Sequence, residues 1–464
     1  MNTCEAMRRL GEEWTRGKLL AELNEENNLS WQFCANGSRA DDGTFYSTCQ
    51  RFMRVLSPES GYYMTEDTEE PLRQMVEKAM ECAALVDGDE TVAEISGTSG
   101  LLAPEGEPWP QEAMEDIPFP DFDMEGMKAM AGRLWDKIKA ESPLVTEVSV
   151  TVSALARGRL VVNTLGLVRR EMTAHYKVMA ILTAKGQTEM NNATWRVYVS
   201  ELSNLDEALF VRDAVASAVD SLDGGNLVSG TYPVVISAPV MAQMLLGFWK
   251  VFSGDDILSG GSCFSQDVGK MIGSEQFTLI DGPAALETGL SVGFDDEGTL
   301  KEAATVIKNG RFITPLTCRE CAANLGVKSS GNAARKDTMG RIIPNALVVA
   351  PKILYVEPSQ KSFDDLLAGI EDGVYITDID DVYHAFNFGS GDFSTPCRGR
   401  RIRRGKLAEG IRHVSLSDNL RNMFAGIEAV GDRLVFCDME DMDVYYLGGT
   451  DVRVRQMNLL GDEL

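Results

Sequence analysis

The chain has 464 residues, of which 44% are apolar and 25% charged, enough to bury a substantial core; wholesale disorder is excluded. Lys and Arg number 44 against 70 Asp and Glu, a formal charge of -26. A surface that acidic opposes non-specific binding to nucleic acid and to anionic membranes, so neither is expected as a partner. Nine dilute cysteines are no disulfide framework, and a reducing cytoplasm is the expected compartment. The first twenty residues carry Glu5, Glu12 and Glu13 and hold no apolar signal core, and the long uncharged run 229–249 is interrupted by Pro233, Pro239 and Gln243.

In chain order, residues 5–29 read as an acidic helix. Two short β-like runs follow, Trp31–Cys34 and Thr44–Leu56. Thr65–Val86 then has helical spacing, with Thr65 as its N-cap. Residues 96–121, with five prolines between Pro104 and Pro120, read as a linker. Helix is expected at Met124–Glu141, strands at Glu147–Ala154, Arg159–Asn163, Val168–Thr183 and Ala193–Leu202, and a helix at Leu205–Leu222. Beyond Gly230 the pattern is mostly β, with helices at Val240–Phe252 and Ser362–Gly369. Regular β/α alternation is absent. The expected class is therefore α+β, two lobes with largely antiparallel sheets. Three domains are expected: an N-terminal α+β domain at 1–104, a middle domain of a helix and long strands at 105–228, and a β-rich domain at 229–464.

Phosphate-loop, nucleophile-elbow and HExxH motifs are all absent. His175, His384 and His413 stand far apart and are read as ordinary strand or surface residues. Cys318 and Cys321 form a CxxC that follows a β-like run and opens a helix, a position that would lower a thiol pKa. No second pair completes a zinc site, so the pair is read as structural. Arg398–Lys406 is a basic hairpin turning at Gly405-Lys406. It lacks the interleaved aromatics of a nucleic-acid site and is read as solvated or as a contact to an acidic partner. The glycine-containing turn at 388–394 suits a close approach of peptide backbone.

Several segments together resemble the TldD/PmbA family, historically called modulators of DNA gyrase and regarded as metallopeptidases. They are the GxYPVV strand at 230–235, SxFSxxVG at Ser262–Gly269, SGNAAR at Ser330–Arg335, GSGDFS at Gly389–Ser394 and LSDNLRNMFAGIEAVGDRL at Leu416–Leu434. The resemblance implies two kinds of subunit, one carrying an HExxxH zinc motif and one, called PmbA or TldE, lacking it, which pair as a cytoplasmic protease acting on small or unfolded peptides. Aligned on Gly254-Asp255 and Ser262–Gly269, the family's first His, its Glu and its second His fall on Leu245, Leu246 and Lys250. Leucine offers no lone pair, and a lysine amine is normally charged. Ligands five apart on a helix also require it to distort, and Trp249 occupies the place where a small residue would help. Val240, Met241, Met244, Leu245, Phe248 and Phe252 form an apolar stripe, so the helix reads as core. Cys437 lies near the family's C-terminal cysteine ligand, but without its glycine-rich context.

The resemblance therefore implies a TldE-like, non-catalytic subunit with no metal and no cofactor, partnered by an HExxxH-containing TldD-like paralogue and binding an unfolded peptide or small protein. Candidate peptide-binding residues are Gly389, Ser390, Gly391, Asp392 and Asn332. Candidate partner contacts are Arg400, Arg401, Arg403 and Arg404. The rival readings are a stand-alone hydrolase using Asp392, His384 or Cys318, and a homodimeric scaffold without activity.

Overall fold

The computed structural model describes residues 2–15, 17–57, 60–84, 100–335, 347–438 and 445–461. The expected helix end at Val86 and the linker residues 96–99 lie outside the described residues. The chain is α+β: an antiparallel sheet in the N-terminal half and a mixed sheet in the C-terminal half.

Helix α1 (Thr3–Glu13) is capped by Asn2, whose side chain accepts from the Glu5 amide. Strands β1 (Leu20–Ala35), β2 (Thr44–Ser57) and β3 (Gly61–Thr65) follow, then α2 (Leu72–Ala84). Two expectations fail here. Residues 20–29 are strand, not helix, and Thr65 ends β3 rather than capping a helix. The acidic run has helix-forming residues, but its partners decide the outcome. Ala21 and Leu23 point into core, Glu25 pairs with Arg51 at 3.2 Å, and Glu26 pairs with Arg157 at 2.6 Å.

Helix α3 (Met124–Glu141), capped by Asp123, coincides with its expected span. Strands β4 (Val145–Asn163), β5 (Val168–Lys185) and β6 (Met190–Val199) and helix α4 (Glu207–Val219) complete this half. The sheet order is β3-β2-β1-β4-β5-β6, so the expected boundary at 104/105 runs through one continuous sheet. The two strands expected at 147–163 are a single strand because Ala156–Gly158 pair with β1 on one side and β5 on the other. Ladder bonds on both edges hold Gly158 extended despite its conformational freedom. One face of the sheet packs on α3 and α4 through Tyr176, Val178, Ala180, Phe210 and Ala214.

The C-terminal half is organised by strands β7 (Gly230–Ile236), β8 (Leu279–Gly282), β9 (Ala304–Lys308), β10 (Ile353–Val356), β11 (Asp372–Ile379), β12 (Asp392–Arg403), β13 (Lys406–Asn419), β14 (Ile427–Asp438) and β15 (Tyr446–Gly461). The order β15-β13-β12-β11-β7 closes on itself because β7 also pairs with β15, at Val452↔Ile236 and Val454↔Val234. Two pairings are parallel, β7–β11 and β10–β15. Against the closed strands packs helix α5 (Ala238–Phe248), whose Val240, Met241, Met244, Leu245 and Phe248 are all fully buried. Gly449 of β15 makes that fit possible: a Cβ there would lie 2.1 Å from the Ala238 carbonyl oxygen and 2.4 Å from the Ala242 nitrogen.

Buried ion pairs join the halves. Arg159 of β4 reaches Glu171 at 2.8 Å, Asp296 at 2.6 Å and the Phe294 carbonyl at 2.7 Å, and Arg335 reaches Glu22 at 3.0 Å. Burial raises the Asp296 carboxyl, but the charges of Arg159 and Lys352 outweigh it and hold the group down at about 2. His175 is part of the same seam, its ring edge-on to Tyr198 and Tyr446 at 5.7 and 5.9 Å. No described helix is long and apolar enough to cross a membrane.

Candidate functional site

An open groove of about 820 Å³ lies where the loop before β12 meets the ends of β12, β13 and β15. Its wall is tied to α5. Phe386 stands 5.6 Å from Phe248 of α5 and 5.2 Å from Phe393 of β12. Gly247 has no Cβ to hold the Phe386 ring away, since one would come within 2.4 Å of it. The groove is polar: Asp392, Ser394, Ser417, Asp418, Asn419 and Asn458 are among its lining residues.

The turn at 387–392 is self-contained. The Asn387 side-chain oxygen accepts from the Gly389 and Ser390 amides, both at 3.1 Å, and the Gly391 amide donates to the Asn387 carbonyl at 2.8 Å. Gly391 takes φ +80, and a Cβ would sit 3.1 Å from the Cys263 sulfur. The amides of Gly389, Ser390 and Gly391 are thus spent on the turn itself. What faces the groove is Asp392, held at 2.8 Å by the Asn419 side-chain amide. That bond and one to Ser390 hold the Asp392 carboxyl below the usual carboxylate range.

Asn332 lies elsewhere and is fully buried. Its amide nitrogen donates to Asp281 at 2.6 Å and to the Ala350 carbonyl at 2.8 Å, and its oxygen accepts from Lys301 at 3.1 Å and Ser330 at 2.7 Å. It organises the core and cannot reach a peptide at the surface.

The basic hairpin forms, but its turn is Arg404-Gly405, both with positive φ, one residue before the expected Gly405-Lys406, because Arg403 and Lys406 pair across the strands. Its charge, however, is largely answered within the chain. Arg401 pairs with Asp372 and lies 4.8 Å over the Tyr232 ring. Arg403 pairs with Glu409 at 2.7 Å, and Arg400 donates to the Ala408 carbonyl and stands 3.5 Å from Asp220. Arg404 is exposed. The arginines concentrated in sequence therefore present little concentrated positive charge.

His384 is exposed and bonded to Asp381 at 2.7 Å, and His413 is exposed with Glu189 at 3.9 Å. Cys318 caps the helix Arg319–Leu325. The expected lowering of a thiol pKa is reversed: the Cys318 thiol beside Cys321, and then burial, push the Cys321 thiol far up.

A family profile described as PmbA/TldA metallopeptidase C-terminal domain matches residues 229–461. The chain belongs to the PmbA/TldD family. A metalloprotease of Synechocystis sp. is 27% identical over 411 residues, covering 85% of this chain and 84% of that protein. Two crystal structures share the fold at TM-score 0.80. One is a Thermotoga maritima protein described as a modulator of a DNA gyrase, 20% identical, covering 98% of this chain and 99% of that one. The other is TldE from Thermococcus kodakarensis, 17% identical with the same coverage.

The family name implies a metal, and α5 can be tested for it. α-Helical geometry stops at Phe248 and a 3₁₀ turn runs over Trp249–Phe252, so the distortion that ligands five apart would need is present. The side chains do not fit. Leu245 is fully buried in the core, Leu246 is half-buried against it, and the Lys250 ammonium sits 5.9 Å over the Phe388 ring. None of them is an imidazole, a thiol or a carboxylate, the donors that zinc sites use.

Asp418, Asn419 and Asn458 were not singled out from the sequence as site residues, although the first two stand in the LSDNL segment that carried the resemblance. The signal was a cluster of short amides and carboxylates ending a strand. Asn458 joins them only through β13–β15 pairing.

Proposed function

We propose that this chain is the non-catalytic, TldE-like member of a metallopeptidase pair. It holds an extended segment of an unfolded peptide in the groove beside α5 and acts with an HExxxH-bearing TldD-like paralogue in the cytoplasm. The observation that carries the reading is α5 itself, which gives way to a 3₁₀ turn after Phe248 but presents Leu245, Leu246 and Lys250 where the resemblance puts ligands and base.

In the groove Asp392 and Asp418 supply negative charge, and Ser417, Asn419 and Asn458 supply polar contacts. That lining suits peptide amides and favours a peptide amino terminus or a Lys or Arg side chain. Recognition through main-chain polarity is tolerant of sequence, as processing of unfolded chains requires.

The test is to purify the chain alone and together with an HExxxH paralogue, then follow cleavage of a labelled unfolded protein and binding of a basic peptide. The expected result is no cleavage by the chain alone, a stable complex with the paralogue, and peptide binding weakened at least tenfold by Asp392→Asn with Asn419→Ala. Zinc-dependent cleavage by the chain alone, or failure to associate with the paralogue, would overturn the reading.

A further inference from the structure

Helix α6 (Gly254–Ser259) begins directly after the 3₁₀ turn that follows α5, and its first turn lies against the start of the helix Arg319–Leu325, α7. The contact is backbone-tight. The Gly254 amide donates to the Leu316 carbonyl at 2.7 Å, and a Cβ on Gly254 would come within 2.9 Å of the Cys321 sulfur. Asp255 is thereby brought to Cys318 and Cys321, and the three donor atoms lie within 4.8 Å of one another.

The two sulfurs are 3.4 Å apart. Around a tetrahedral ion with metal–sulfur bonds of about 2.3 Å, two thiolates stand roughly 3.8 Å apart, so a few tenths of an ångström of movement suffice. Main-chain amides already point at both sulfurs: Cys318 N–H donates to Cys321 Sγ at 3.2 Å, and Cys321 N–H to Cys318 Sγ at 3.5 Å. Such donors stabilise thiolates and orient them, the supporting role that outer partners play around metals. Both cysteines are buried while Asp255 is exposed, which leaves a solvent-facing side on which water can complete four-coordination.

We propose that Asp255, Cys318 and Cys321 form a binding site for a thiophilic divalent cation of the zinc type, with two sulfurs and one carboxylate oxygen as ligands and water as the fourth. The site is separate from the positions Leu245, Leu246 and Lys250 and stands or falls independently of the proposed subunit role. It also answers an electrostatic problem. Three groups able to become anionic have their donor atoms within 4.8 Å of one another, and like charges that close repel. A divalent ion displaces the thiol protons and pairs with the charges that remain. Two thiolates with one oxygen favour zinc over magnesium or calcium, which take oxygen donors. The sequence expectation of no metal considered a second CxxC as the missing half, whereas the fold supplies a carboxylate from a distant segment.

The experiment uses the full chain, fully reduced and kept under argon. Titration with Co²⁺ should give a near-ultraviolet thiolate-to-cobalt charge-transfer band that saturates at one equivalent and is abolished by Zn²⁺. Cys318→Ser with Cys321→Ser should lose the band, and Asp255→Asn should keep it with at least tenfold weaker affinity. Wild-type protein in weak buffer should release about two protons per Zn²⁺ bound, a measurement that needs no variant to fold. Absence of the band at one equivalent, an equal band in the double Ser variant, or Zn²⁺ uptake without proton release would each overturn the assignment.

Discussion

Lys301→Met removes the cation from a fully buried ion pair and leaves its partner behind. The Lys301 ammonium bonds Asp281 at 2.6 Å, the Ser330 carbonyl at 2.8 Å and Asn332 at 3.1 Å, and neither side chain of the Lys301–Asp281 pair reaches solvent. Breaking a buried pair by deleting one partner costs about 3–5 kcal/mol, because a charge is stranded away from water. Here the stranded carboxylate keeps three donors: the Lys352 and Ile353 amides at 2.9 and 3.0 Å and the Asn332 side chain at 2.6 Å. That places the expected loss at the lower end, ~3 kcal/mol. Neutralising the partner as well, in Lys301→Met with Asp281→Asn, should recover about half of the loss, since the asparagine oxygen still accepts from both main-chain amides. Urea unfolding followed by far-UV circular dichroism and tryptophan fluorescence measures both variants. A loss below about 1 kcal/mol for the single variant, or a double variant less stable than the single one, would refute the assignment of this pair as a buried charge held by a network.

Asn332→Ala should lower stability by about 2–4 kcal/mol and leave affinity for a basic peptide unchanged, because its four bonds are internal. Asp451 is nearly buried, and burial lifts its carboxyl to about 6 in the folded chain from an ordinary 3.8. A raised carboxyl favours its protonated form, so its contribution to stability is present below pH 3.8 and is lost as pH rises through about 6. Asp451→Asn keeps an acceptor for the Ala238 amide and should stabilise the chain by ~1–3 kcal/mol at pH 8 with no gain at pH 4, read from Tm at the two values. Gly449→Ala drives a methyl into the main chain of α5 and should cost more than ~3 kcal/mol, seen as loss of soluble folded protein or of cooperative melting. Leu245→His with Leu246→Glu and Lys250→His should create no peptidase and should destabilise the fold, because Leu245 has no exposed surface and each buried polar group costs about 1–3 kcal/mol; zinc-dependent cleavage of an unfolded substrate by the folded triple variant would contradict this.

Local pattern was sufficient where a segment's own residues carry the period. Helix α3 and the long strand β5 stand where spacing and alternation put them, and α5 is the buried helix its apolar stripe implied. That Leu245 and Leu246 offer no ligand atom was also legible, since no packing turns leucine into a ligand. Local pattern failed where a distant partner overrides propensity. Glu22–Glu26 became strand because Arg335, Arg51 and Arg157 wait across the sheet and the lobe interface, and a boundary drawn at a proline-rich stretch divided strands that belong to one sheet. Candidate residues were sorted by the same rule. A run of arginines reads as a charged patch until folding places Asp372, Glu409 and Asp220 beside it, and Asn332 reads as a candidate peptide-binding residue until a buried lysine and aspartate close around it. Asp255 meets Cys318 and Cys321 only because the Gly254 main chain packs on Leu316, just before α7. The sequence by itself determined what each residue can do chemically and which stretches can bury a face. Which charges find opposite charges, and which ligands meet, was decided by the tertiary structure, because those encounters join segments that no local period relates.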